Sequence, residues 1–161
     1  MMKTKRESIL IRPADTAGDL AAARQLFLAY HQFLGEDLCF QSFDAELAGL
    51  PGKYAAPEGC LLLAWQGTQA VGCVAMRPLQ PGIAEMKRLY VLPGAQGNGL
   101  GRQLAMAVIA AARRAGYQYM VLDTLERLTP ALRLYQSLGF TSAPAYYSNP
   151  LPGVVYLQLA L

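Results

Sequence analysis

A chain of 161 residues, 53% hydrophobic and 16% charged, is long enough to bury one full-sized core and too apolar to be disordered. Its mean hydropathy of +0.21 is high, yet no window holds the roughly 18 uninterrupted apolar residues of a membrane span, and the start Met-Met-Lys-Thr-Lys-Arg leads into no signal-peptide apolar stretch. The net charge of +3 suits an anionic small ligand, and the lack of a Lys/Arg stripe interleaved with aromatics argues against nucleic acid; a cytoplasmic protein with no membrane partner is expected.

Residues 8–12 read as a first strand closed by Pro13. Asp15 or Thr16 can cap a helix to about Leu34, with Leu20, Phe27, Tyr30 and Leu34 at helical spacing and Gly35 as its stop. A short helix is expected over 44–50, before Pro51-Gly52. Residues 60–66 and 70–77 read as hairpin strands around Gly67-Thr68-Gln69. Pro78 to Gly82 reads as a turn, and 83–91 as a strand ended by Leu92-Pro93. A glycine-rich loop then opens a helix over about 100–115, its buried side marked by Leu104, Val108, Ala111 and Ala112, its stop Gly116. Residues 118–124 form an apolar strand. The next helix has Pro130 in its first turn, carries Ala131, Leu134, Tyr135 and Leu138, and stops at Gly139. Residues 140–142 and 154–159 read as the last strands. With no repeat and no linker, 1–161 is one α/β domain on a mixed sheet.

Three cysteines, Cys39, Cys60 and Cys73, form no zinc spacing, and His31 is the only histidine. A metal site and a Cys-His nucleophile are therefore not expected. Cys60 and Cys73 read as small buried hydrophobes, Cys39 as a residue of a polar loop.

The chemistry sits at Gln96-Gly97-Asn98-Gly99-Leu100-Gly101. A strand, a glycine turn and an amphipathic helix together make an anion site. The first N–H groups of the helix lack intrahelical acceptors and point outward with the positive end of the dipole. Glycine lets the backbone take positive φ and approach a phosphate closely. The dinucleotide fingerprint fails, because Arg102 stands where its third glycine belongs, and Arg102-Gln103 is not the Lys-Ser/Thr of a P-loop.

On these residues the chain resembles the GNAT superfamily of acetyltransferases, whose phosphate loop reads Gln/Arg-x-x-Gly-x-Gly/Ala. Residues 86–93 (Met-Lys-Arg-Leu-Tyr-Val-Leu-Pro) resemble its fourth strand, and residues 131–140 its later helix-and-turn signature. The resemblance is strong over 83–142. It implies a splayed mixed sheet of about six to seven strands flanked by helices, with acetyl-CoA as cosubstrate. Backbone groups of Leu89, Tyr90 and Val91 would bond pantetheine and thioester. Gln96, Gly97, Asn98, Gly99, Leu100, Gly101 and Arg102 would hold the pyrophosphate.

The resemblance further implies direct transfer to a primary amine of a small molecule or peptide. Tyr135 is the expected acid for the leaving thiolate, and Glu85 the expected base. Strand alternation puts Glu85, Lys87, Leu89 and Val91 on one face. Tyr30, Tyr146 and Tyr147 are candidate acceptor-binding residues, with His31, Glu36, Asp37 and Asn149 nearby in the same segments. Where many relatives carry an asparagine three residues before Ala131, this chain has Leu128, so that role does not carry over. The alternative reading is a non-catalytic acyl-CoA-binding regulatory module. A homodimer is compatible with the chain.

Overall fold

The computed structural model describes residues 8–38 and 42–161; Cys39 lies outside them. Seven strands form one sheet: β1 (Ile9–Pro13), β2 (Cys60–Gln66), β3 (Gln69–Gln80), β4 (Ile83–Val91), β5 (Tyr119–Leu125), β6 (Thr141–Ser142) and β7 (Val154–Ala160). Their spatial order is β1-β2-β3-β4-β5-β7-β6. Every neighbouring pair is antiparallel except β4 and β5, which are parallel and joined through a helix. Four α-helices cover the sheet: α1 (Ala17–Leu34), α2 (Phe43–Ala48), α3 (Leu100–Arg114) and α4 (Thr129–Ser137).

The helices start and stop for local reasons. Thr16 caps α1 in a full capping box: its hydroxyl accepts from the Asp19 N–H, and the Asp19 side chain accepts from the Thr16 N–H. Asp19 also takes a two-pronged bond from Arg12 of β1, at 2.8 and 3.1 Å, which ties the helix start to the edge strand. Gly35, at φ 68°, ends α1 in the left-handed conformation.

Two cores sit on the two faces of the sheet. One packs Leu62, Val74, Met76 and Met86 against Leu104, Val108 and Ala112 of α3. The other packs Leu61, Leu63, Cys73 and Ala75 against Ala23, Leu26 and Phe27 of α1. Burial on both faces explains why β2 and β3 read as near-continuous apolar runs. Cys73 is fully buried and donates to the Arg88 carbonyl, whereas Cys60 is only half-buried.

One boundary departs from the sequence expectation. Residues 78–80 continue β3 instead of turning, and Pro78 stands opposite Ala84 of β4. β2 has already ended, its Cys60 opposite Met76, so β3 has a neighbour on one side only there. A strand admits proline at such an edge.

Candidate active site

The site begins where β4 and β5 part. They pair only over Ile83–Glu85 and Tyr119–Val121. β5 then stays with β7 along its whole length, while β4 runs on to Val91 with no strand on its β5 side. A β-bulge accompanies the parting: Arg88 and Leu89 together oppose Val74, and Arg88 takes a left-handed φ of 61°. Bulges bend a strand and sharpen its twist, which carries the end of β4 away from its neighbour.

The bulge also resets the alternation, and this corrects the expected face assignment. Ala84, Met86, Leu89 and Val91 pack on the α3 side. Glu85 and Lys87 alternate to the other face, where Tyr90 meets Tyr30 of α1 at 5.9 Å between ring centres. Glu85 and Leu89 are therefore on opposite faces, because one inserted residue inverts everything after it.

A cavity of about 570 Å³ fills the parting. At one end lies the glycine loop. Gln96 donates to the Val91 carbonyl at 2.9 Å and anchors the loop to the end of β4. Gly97 and Gly99 adopt φ of 85° and 73°, with open space where a Cβ would stand. α3 has no side-chain cap, and its first internal bond runs from the Gln103 N–H to the Gly99 carbonyl. The N–H groups of Leu100, Gly101 and Arg102 are thus left without intrahelical acceptors. Gln96, Gly97, Gly99, Leu100 and Gly101 line the cavity; Asn98 and Arg102 do not, and the Arg102 side chain turns to the Ser137 hydroxyl.

Leu89, Tyr90 and Val91 form one wall, Ala131, Leu134 and Tyr135 of α4 another. Tyr135 is buried and packs edge-on against Phe140 at 5.7 Å. Its hydroxyl has no hydrogen-bond partner among the described residues, and it is not sealed off: it opens on the cavity. Burial pushes its phenol well above the ordinary value, so it holds its proton at neutral pH.

The far end is built from Tyr30 and Phe33 of α1, Lys87 and Arg88 of β4, Asp123 of β5, and Asn149 and Leu151 of the last loop. Arg88 is locked by a two-pronged bond to Glu46 of α2, at 2.9 and 3.1 Å, and lies over the Phe43 ring. Lys87 is buried, its nitrogen 3.8 Å from Glu85, and burial brings its pKa down to about 8.

Glu85 does not line the cavity. It is completely buried, with one oxygen on Arg77 at 2.8 Å and the other on the Tyr146 hydroxyl at 2.5 Å. Tyr146 and Tyr147 also stand outside the cavity lining, packed edge-on against Tyr156 in a cluster that braces the loop. The Tyr147 hydroxyl bonds Asp123, as does the Asn149 amide at 2.8 Å. His31 packs on Phe43, and Glu36 pairs with Arg127.

Sequence reasoning overlooked Lys87, Arg88, Asp123 and Phe33 as cavity residues. A signal existed for three of them: Lys87, Arg88 and Asp123 are charges inside otherwise apolar strands. Among the described residues, no group of His, Cys, Asp and Glu could hold a metal, and no helix is long and apolar enough to cross a membrane.

A family model for the acetyltransferase (GNAT) family matches residues 20–140. An N-acetyltransferase of Schizosaccharomyces pombe, itself uncharacterized, is 45% identical over 160 residues that cover 98% of each chain. An acetyltransferase of Streptococcus agalactiae superposes with a TM-score of 0.79 at 20% identity, over 95% of this chain and 98% of that one. An acetyltransferase of Salmonella typhimurium, solved with its cofactor acetyl-CoA, has a TM-score of 0.71 at 24% identity over 94% and 93% of the two chains.

Proposed function

The chain belongs to the GNAT family of acetyltransferases, and from that premise we propose that it moves an acetyl group from acetyl-CoA directly to a primary amine of a small molecule or peptide. The observation that carries this reading is one continuous cavity, which runs from the uncapped start of α3 through the parting of β4 and β5 to a chamber of mixed charge. Anionic cofactor and amine can then meet from opposite ends.

The residues fit such a cosubstrate. The open glycine cradle and the unused N–H groups of α3 would take the pyrophosphate. The unpaired edge of β4 at Leu89–Val91 would bond an extended pantetheine arm as a further strand would. A backbone N–H of that edge would polarise the thioester carbonyl. Tyr135 would protonate the leaving thiolate, since it keeps its proton and reaches the cavity.

The experiment follows thiol release from acetyl-CoA across a panel of amines and peptides, with mass spectrometry of the product. Amine-dependent thiol release with a mass gain of one acetyl group is expected. Tight acetyl-CoA binding with no turnover on any amine would instead make the chain a regulatory acyl-CoA-binding module.

A further inference from the structure

Asp123 is the single acid that lines the cavity among the described residues. It stands on β5 two residues past Val121, which is opposite Glu85 in the last paired rung. Lys87 stands at the same level on β4. The two therefore face each other across the mouth of the parting, on the face toward α1, yet they form no ion pair. Both hydrogen bonds to Asp123, from the Tyr147 hydroxyl and the Asn149 amide, end on Oδ2. Its Oδ1 has no partner among the described residues. Glu85 is the converse case, with both oxygens engaged and no access to the cavity.

A half-buried carboxylate, aimed by two donors, with one open oxygen and no ion pair among the described residues, is arranged to receive a cation. The surroundings describe what carries that cation. The Tyr30 and Phe33 rings flank Tyr90 at 5.9 and 5.6 Å, and Leu34, Leu38 and Leu151 complete an apolar chamber beside Asp123. Aromatic faces near a carboxylate suit an ammonium on an apolar body.

We propose that Asp123 binds the acceptor's ammonium group and takes its proton, and that the acceptor is a cationic primary amine on a short apolar body. This rests on the acetyltransferase reading above. One proton passes from the ammonium to Asp123, which later returns it to solvent. The freed nitrogen lone pair forms the new bond to the thioester carbon. The carbon–sulfur bond breaks and its electrons leave with sulfur, which takes the Tyr135 proton. The second proton shed by the new amide nitrogen restores Tyr135. Among the described residues, the charged and titratable groups around Asp123 are Lys87 and Arg88 from β4, Tyr147 and Tyr146 from the last loop, Tyr156 from β7, Tyr30 from α1 and Tyr135 from α4.

The test measures kcat/KM against pH with phenethylamine and acetyl-CoA for the wild type, Asp123→Asn, Asp123→Glu and Glu85→Gln. Asp123→Asn should lose about 10²-fold or more at pH 7. The loss should shrink toward pH 10, where more amine is already neutral, and the Kd for acetyl-CoA should stay unchanged. Asp123→Glu should recover part of the rate, and Glu85→Gln should keep the wild-type shape of the acidic limb. Wild-type kcat/KM in Asp123→Asn would overturn the proposal. So would lost acetyl-CoA binding in that variant, or no recovery in Asp123→Glu, because Asp123 would then only tether the loop. A wild type that acetylates other amines but not phenethylamine would overturn the acceptor class. No thiol release with any amine would sink the acetyltransferase reading itself.

Discussion

A phenol that keeps its proton and opens on a cavity can give that proton to a leaving group, the role proposed for Tyr135. Tyr135→Phe removes the hydroxyl and keeps the ring against Phe140. kcat should fall roughly 10²-fold, the scale of a general acid, with acetyl-CoA affinity nearly unchanged by calorimetry. Lys87 makes a second prediction from the opposite kind of group. Burial lowers its pKa from 10.5 to about 8 against the pull of Glu85. Between those values the unfolded chain binds the proton and the folded chain does not, so stability contributed at this site rises with pH. Urea denaturation should show wild type gaining on Lys87→Met by about 3 kcal/mol from pH 8 to pH 10.5, and a pH-independent difference would place Lys87 in water.

At the scale of elements, the glycine loop and α3 were readable as a unit because their signal is local. Three glycines precede an amphipathic helix, and the structure leaves that helix start uncapped. Gly99→Glu puts a side chain on a left-handed residue in open space and a negative charge where the proposed cofactor's pyrophosphate would dock. Strain of about 1–2 kcal/mol is expected, with CoA affinity falling far more than stability. Unchanged affinity in a folded variant would reduce the loop to a turn. The capping box of α1 was only half legible: the sequence left Asp15 and Thr16 both open as the cap, and the role of Asp19 depends also on Arg12 from another element. The bulge in β4 was not legible at all. Arg88 is neither glycine nor asparagine, and its left-handed conformation is held by Glu46 of α2 and by the Cys73 thiol on its carbonyl.

For the whole molecule, a ligand that binds only the folded state raises the melting temperature by mass action. Acetyl-CoA at 100 times its Kd should stabilise the chain by about 2.7 kcal/mol, while NAD and ATP at equal concentration should do much less. Equal shifts from ATP would point to a general phosphate site in place of one that also reads the pantetheine arm. Such a ligand would couple distant parts of the fold, because the cavity joins α1, β4, β5, α3, α4 and the last loop.

The sequence by itself determined the order and type of most elements, the glycine loop before α3, the family resemblance and the presence of Tyr135 in the α4 signature. Each rests on short-range information: hydrophobic period, capping residues and glycine placement, which act within a few residues of chain. Only the tertiary structure decided which carboxylate meets the cavity. Glu85 and Asp123 are both acids in apolar strands, alike in any local reading. Their difference comes from neighbours on other elements: Arg77 and Tyr146 consume Glu85, whereas Tyr147 and Asn149 hold one oxygen of Asp123 and leave the other open. A single bulged residue then turned Leu89 to the face opposite Glu85, because strand alternation has a period of two and one insertion inverts it.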